Sequence, residues 1–274
     1  MKHEFWGVRG TIPFSSPEGT QYGGHTPSAF LRTSEEVFII VDAGTGIIKL
    51  GDKLIKEKEG RPFDIHILLT HFHLDHITGL PFFAPLYLPE VTLIFYSAIS
   101  REETKKYLGG VMAGRYFPPE FEETPSKKIF KQIPEGDFAI STVQVSSCPL
   151  RHPQGSVAYK ITEEKSIVFA TDTEHPETGI DEKLASFAQG SDIFVYDATY
   201  TPEEYDSGRR GWGHSTWLEG TKLAREAAVG NLCLSHFNPF HTDKQIENII
   251  SAAKEEFSCA CGAKEEFLDV LEDV

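Results

Sequence analysis

No stretch of this chain approaches the ~20 consecutive apolar residues that a membrane-crossing helix needs, so no membrane association is expected. The opening residues Met1-Lys2-His3-Glu4-Phe5-Trp6 lack the apolar core of a secretory leader, which makes a cytoplasmic location the expectation. Cysteine is scarce. Cys148, Cys233, Cys259 and Cys261 form no disulfide framework, and Cys259-Ala260-Cys261 is too tight for a zinc C-x-x-C, so all four read as reduced thiols. Basic charge is short too: 26 Lys and Arg face 41 Asp and Glu, for a net charge of −15. That deficit makes extended nucleic acid an unfavourable habitual partner, because a long polyanion is gripped by many cations. A small phosphate ester stays open, since bound metal ions would bring their own positive charge.

What the chain has is an ordinary globular composition, 40% hydrophobic and 24% charged. No repeat and no linker interrupts it, which predicts one domain over residues 1–274. Segments 5–8, 28–33 and 36–41 read as strands, the last two as a hairpin about Ser34-Glu35. A helical pattern over 47–57 follows Asp42-Ala43-Gly44-Thr45-Gly46. Residues 63–70 form a β-prone apolar run, 91–96 a further strand and 100–108 a helix. The tract 109–136, rich in Gly, Pro and aromatics, reads as an irregular lid insertion. Strands are then expected at 138–146, 157–161, 166–170, 193–196 and 232–235, with helices at 217–228 and 243–256.

The densest chemistry is His71-Phe72-His73-Leu74-Asp75-His76, four potential metal ligands in six residues after a buried strand. A turn there can aim His71 and His73 at one point, while a helix starting at Leu74 carries Asp75 and His76 toward a second point. Imidazole and carboxylate at such close quarters suit zinc or a similar divalent ion. His152, Asp172 and His236 each follow a strand-like segment as well. Singly each is a weak signal; together they make seven groups, enough for two metal sites sharing one carboxylate. His66 alternates within an apolar strand and reads as a buried, hydrogen-bonded core residue. His3, His175 and His241 read as surface residues, with a role beside Asp172 open to Glu174-His175.

These motifs resemble those of the metallo-β-lactamase-fold hydrolases, and the resemblance runs through nearly the whole chain. Thr70-His71-Phe72-His73-Leu74-Asp75-His76-Ile77-Thr78-Gly79-Leu80-Pro81 is similar to that superfamily's metal motif. Ala170-Thr171-Asp172-Thr173 looks like its bridging-aspartate motif, and Ser235-His236-Phe237-Asn238 like its last histidine motif. The resemblance implies an α/β, four-layer αββα sandwich with two divalent cations, zinc expected and manganese or iron as alternatives. It implies that His71, His73 and His152 hold one ion, that Asp75, His76 and His236 hold the other, and that Asp172 bridges. Asp42 would orient a metal-binding histidine from behind. Gly213-His214-Ser215-Thr216 is similar to a motif of tRNase Z and related phosphodiesterases. Phe5-Trp6-Gly7-Val8-Arg9-Gly10-Thr11-Ile12-Pro13 with Tyr22-Gly23-Gly24 resembles a bacterial subgroup of that branch, in which His25 usually is Asn and some members cleave cyclic nucleotides. The class II cyclic-nucleotide phosphodiesterase pattern is matched in part, with departures at Pro81 and Ala84.

The implied activity is hydrolysis of a small phosphodiester, a cyclic nucleotide first, by a hydroxide shared between the cations. Asp75 and His214 are the expected catalytic groups. Arg209 and Arg210 are candidates to clamp the phosphate, and Tyr116 and Phe117 to stack on a base. Only 23 residues separate Asp172 from Tyr196, too few for a long tRNA-gripping arm. A tRNase-like nuclease, a thioester or lactam hydrolase and a non-catalytic sensor remain alternative readings. A homodimer stays open.

Overall fold

The computed structural model describes residues 1–265. Two mixed sheets face each other with helices outside both, giving the four-layer αββα sandwich expected from the sequence. The first sheet has the order β1 (Lys2–Gly7), β2 (Ser28–Arg32), β3 (Phe38–Val41), β4 (Phe63–Leu68), β5 (Val91–Ser97), β6 (Lys127–Gln132). The second runs β13 (Ala260–Gly262), β12 (Asn231–Ser235), β11 (Ile193–Asp197), β10 (Ser166–Ala170), β9 (Ser156–Thr162), β8 (Val143–Leu150), β7 (Gly136–Ile140).

Alternation along the strands explains the layering, because successive side chains point to opposite faces. In β3, Ile39 and Val41 enter the core between the sheets, whereas Phe38 and Ile40 pack outward under α1 (Ile47–Lys58). Ile94 and Tyr96 of β5 face inward while Leu93 and Phe95 face outward. On the outer side of the second sheet, Leu223 of α6 (Trp217–Glu226) and Ile246 of α7 (Asp243–Glu256) are buried against it. Among the described residues no helix is long and apolar enough to cross a membrane.

The tract 109–136 is more ordered than its composition suggests. Helix α3 (Arg101–Gly110) enters it, and β6 extends the first sheet in parallel with β5. The lysines of Lys127-Lys128-Ile129-Phe130-Lys131-Gln132 hide an edge strand whose Phe130 stacks on Phe95 at 5.5 Å. The single strand expected over 138–146 is instead the hairpin β7–β8, turning at Ser141-Thr142, with Ser141 at φ 53°.

Candidate metal centre

Every candidate ligand sits where a strand ends. Strands β8 and β10 both run antiparallel to β9 and so point the same way, and β10, β11 and β12 are mutually parallel. Their C-terminal ends therefore deliver His152, Asp172, Asp197 and His236 to one edge of the second sheet. The parallel pair β3 and β4 brings Asp42 and Thr70-His71 to the facing edge. After His73 the short helix α2 (Leu74–Ile77) begins, with Asp75 and His76 on its single turn as the spacing predicts. The reversals are tight: Asp42, Asp172 and His236 have φ of 62°, 59° and 58°. Left-handed backbone at non-glycine residues costs of order 1–3 kcal/mol each and persists where surroundings enforce it.

The seven residues converge in two groups. His71, His73 and His152 offer nitrogens that lie within 4.8 Å of one another, and a carboxylate oxygen of Asp75 lies equally close to nitrogens of His76 and His236. Asp172 lies between them. Its Oδ1 is 3.8 Å from the Nε2 of both His71 and His152 and 3.3 Å from that of His236. Its Oδ2 is 3.1 Å from His76 Nε2. Asp75 Oδ2 stands 3.4 Å from both His76 Nε2 and His236 Nε2.

The nitrogens that face away are all anchored. His76 Nδ1 donates to Asp42 Oδ2 at 2.8 Å, so Asp42 orients a histidine of the cluster. Thr70 Oγ1 also donates to Asp42 and accepts from His71 Nδ1 at 3.1 Å. His152 Nδ1 donates to the Gly213 carbonyl at 2.7 Å, His236 Nδ1 to Thr199 Oγ1 at 3.0 Å, and His73 Nε2 to Gln154 Oε1 at 2.9 Å. Anchoring one nitrogen fixes the tautomer and aims the other lone pair at the centre, as metal ligation requires.

Charge points the same way. Asp42, Asp75, Asp172 and Asp197 are all buried, and no Lys or Arg pairs with them among the described residues. An uncompensated buried carboxylate costs several kcal/mol, so the site calls for cations. Burial works against the Asp172 carboxylate, yet His236, His76 and His71 hold it well below the usual carboxylate range. Burial likewise disfavours charge on His76, and Asp172, Asp75 and Asp42 outweigh it, raising its pKa well above the ordinary value. His71, by contrast, is pushed well below its ordinary value, first by burial and then by His76. Its Nε2 and Asp172 Oδ2 are buried without a hydrogen-bond partner. Two orphaned atoms aimed into a histidine–carboxylate cluster are what a pair of divalent ions would satisfy.

Asp197 escaped the sequence reading. It closes β11 fully buried and accepts from the backbone N–H groups of Asp172, Thr199 and Ser215 at 2.9, 3.0 and 3.3 Å. His214 Nδ1 donates to its Oδ2 at 3.0 Å. Burial lowers the His214 pKa, but Asp197 more than offsets this and lifts it to about 9. The His214 ring stacks on that of His236 at 5.1 Å. The available signal was positional: Asp197, like Asp42 and Asp172, is a carboxylate ending an apolar strand. Thr11 was missed too, while for Glu174 the sequence offers only a role beside Asp172. The Thr11 N–H donates to Asp75 Oδ2 at 2.7 Å, and Glu174 accepts from the N–H groups of Gly211 and Gly213 at 2.6 and 2.9 Å.

The remaining candidates scatter. Arg210 lines a cavity of about 400 Å³ that opens beside His152, and pairs with Asp206 at 2.8 Å. Arg209 lies over the Trp212 ring at 4.7 Å. Tyr116 is exposed, whereas Phe117 packs edge-on against Phe82 at 5.4 Å. His66 is half-buried and hydrogen-bonded to Tyr96 Oη at 2.9 Å. His175 bonds Ser215 Oγ at 2.9 Å, behind His214, while His3 is exposed. The surface reading of His241 is corrected: it is buried and 2.8 Å from Glu204, under the loop that follows His236. His25 serves through its backbone, its carbonyl accepting from the N–H groups of Val8 and Arg9.

A family model described as a beta-lactamase superfamily domain matches residues 38–237, the span that holds the whole cluster. The chain belongs to the metallo-β-lactamase superfamily. Its members are generally hydrolases. The probable metallo-hydrolase YhfI of Bacillus subtilis is 23% identical over 225 residues, covering 80% of this chain and 85% of that protein. The crystal structure of YhfI superposes with a TM-score of 0.69 over 96% of this chain and 95% of that one. A diphosphatase from the PhnP family gives a TM-score of 0.68 at 15% identity, covering 96% and 94% of the two chains. The short form of human tRNase Z gives 0.62 at 19% identity, covering 97% of each. At these identities the superpositions speak to the fold of this superfamily member.

Proposed function

We propose that this superfamily member is a dinuclear metal-dependent phosphodiesterase acting on a small phosphodiester, with a cyclic nucleotide as the first substrate to test. One observation carries the reading: the Asp197–His214 pair stands against the metal cluster, with His214 Nδ1 3.0 Å from Asp197 and 3.9 Å from Asp172. His71, His73 and His152 would hold one ion, Asp75, His76 and His236 the other, with Asp172 between. Bound there, divalent cations supply Lewis-acid charge at the phosphoryl oxygens and activate water near neutral pH. Asp42 and Thr70 keep His76 and His71 aimed inward, and the Thr11 N–H holds Asp75 in place. His214, with Nδ1 committed to the Asp197 carboxylate that favours its protonated form, has Nε2 free to protonate the departing sugar oxygen.

A thioester hydrolase has no evident use for that proton donor, because a thiolate departs without a proton. A tRNase-like reading is favoured by the fold shared with human tRNase Z, but the segment between Asp172 and Tyr196 holds only α4 (Glu182–Ala188) and no extended arm. The test combines metal analysis of the purified protein with 3′,5′- and 2′,3′-cyclic nucleotides, bis(p-nitrophenyl) phosphate, pre-tRNA and a thioester. About two divalent ions per chain and turnover of the small diesters are expected, and both should be lost in Asp172→Ala. Thioester turnover without diester turnover would overturn the proposal.

A further inference from the structure

We infer that Trp212 is a stacking platform that selects phosphodiesters carrying a flat aromatic ring the size of a nucleobase. The inference rests on the phosphodiesterase reading and gives it a specificity residue. Of the three tryptophans, Trp6 is buried and Trp217 packs against the core, while Trp212 is 56% exposed. An exposed indole offers a flat π-face on which another ring can stack.

Its exposure is enforced by the chain around it. Gly211 and Gly213 flank it with φ of 80° and 85°, backbone that other residues rarely adopt. Both glycine N–H groups donate to the one carboxylate of Glu174, at 2.6 and 2.9 Å, and Tyr205 Oη holds that carboxylate at 2.6 Å. The Gly213 carbonyl is gripped by His152 Nδ1 at 2.7 Å, so closely that a Cβ on Gly213 would come within 2.4 Å of that nitrogen. Trp212 is thus fixed at one remove from a ligand histidine and two residues from His214.

Arg209 lies over the indole at 4.7 Å, and no ion pair draws its guanidinium elsewhere among the described residues. This cation–π contact steadies the ring. It also assigns Arg209 to the platform, not to the phosphate clamp expected from the sequence. With a net charge of −15 the protein has little basic surface to spend on the organic part of a substrate. A stack supplies that affinity without charge, by about 5- to 100-fold per base.

Isothermal titration of the metal-loaded protein with adenosine 5′-monophosphate and with ribose 5-phosphate tests this without turnover. The wild type should bind the nucleotide at least about fivefold more tightly than the sugar phosphate. Trp212→Ala should erase that preference while leaving ribose 5-phosphate affinity unchanged, and Trp212→Phe should restore part of it. Equal binding of the two ligands by the wild type, or equal loss of both in Trp212→Ala, would overturn the inference. Hydrolysis of bis(p-nitrophenyl) phosphate, measured in parallel, reports on the phosphodiesterase reading separately. Preferential nucleotide binding without hydrolysis would sink that reading and leave the platform standing.

Discussion

His214 and Asp197 act as one unit, and their separation of 3.0 Å makes the pair testable residue by residue. His214→Ala should keep the metals and lower kcat by about 10²- to 10⁴-fold for a diester with an alkoxide leaving group. A p-nitrophenyl ester should suffer less, because that leaving group departs without a proton. Unchanged turnover of the alkoxide substrate would remove His214 from the role of acid. The pH profile carries a sign as well. A general acid works only while protonated, so kcat/KM should fall as pH rises through the pKa of His214, which Asp197 raises. Asp197→Asn removes the charge that sustains this value, and the alkaline limb should move to lower pH.

At the scale of elements, long periodic segments were read correctly, whereas short elements and those that depend on partners were not. Helix α7, Asp243–Glu256, and strand β10, Ser166–Ala170, have the bounds their patterns predict, one opened by the Thr242 capping box and the other a pure apolar run. Strand β13 is only three residues long and exists because β12 offers it a parallel edge. Helix α5 (Pro202–Asp206) went unread although Thr201 and Glu204 form a capping box around a proline at its first turn. The aromatic tract before β6 borders the metal loop, Tyr107 meeting Phe72 at 5.4 Å and Phe117 meeting Phe82 at 5.4 Å. As a lid it gives divergent mutants. Tyr116→Ala should raise KM and leave the melting temperature unchanged, since Tyr116 is exposed. Phe117→Ala should raise KM and also cost about 1–2 kcal/mol of stability through lost packing. Steady-state kinetics beside thermal unfolding separates the two, and unchanged KM in both variants would end the lid proposal.

Across the whole molecule, acidity bears on two tests, one of substrate size and one of response to pH. A site that neutralises one phosphate releases few counterions, so small-diester turnover should depend weakly on salt. Efficient pre-tRNA cleavage with a steep salt dependence would favour a tRNase-like enzyme instead. Glu265 provides a stability test far from the chemistry. Burial raises its pKa to about 8, more than the His25 N–H and Arg9 pull it down. A carboxyl whose folded pKa lies above its unfolded value of about 4.3 favours the folded state while protonated. That contribution is complete below pH ~4.3 and fades as pH climbs toward 8, so this group makes the fold weaker at pH 9 than at pH 6. Glu265→Gln keeps an acceptor for His25 and removes the charge. It should flatten the difference in urea-unfolding free energy between those two pH values, and an unaltered difference would show that Glu265 does not titrate in this range.

The sequence by itself determined where the chemistry lies: seven histidines and aspartates stand at or just after the ends of apolar, β-prone runs, and the resemblance of those motifs to a known superfamily implied both the αββα architecture and their convergence. It also determined which end of the sandwich carries the chemistry. Only the tertiary structure decided what supports that chemistry. Asp197 reaches His214 across 17 residues, Glu174 pins Gly211 and Gly213 from 37 and 39 residues away, and the Thr11 N–H finds Asp75 across 64. No periodicity or short motif encodes such pairs. A buried carboxylate is costly until a donor reaches it, and which donor does so is settled by how the sheets and loops close around it.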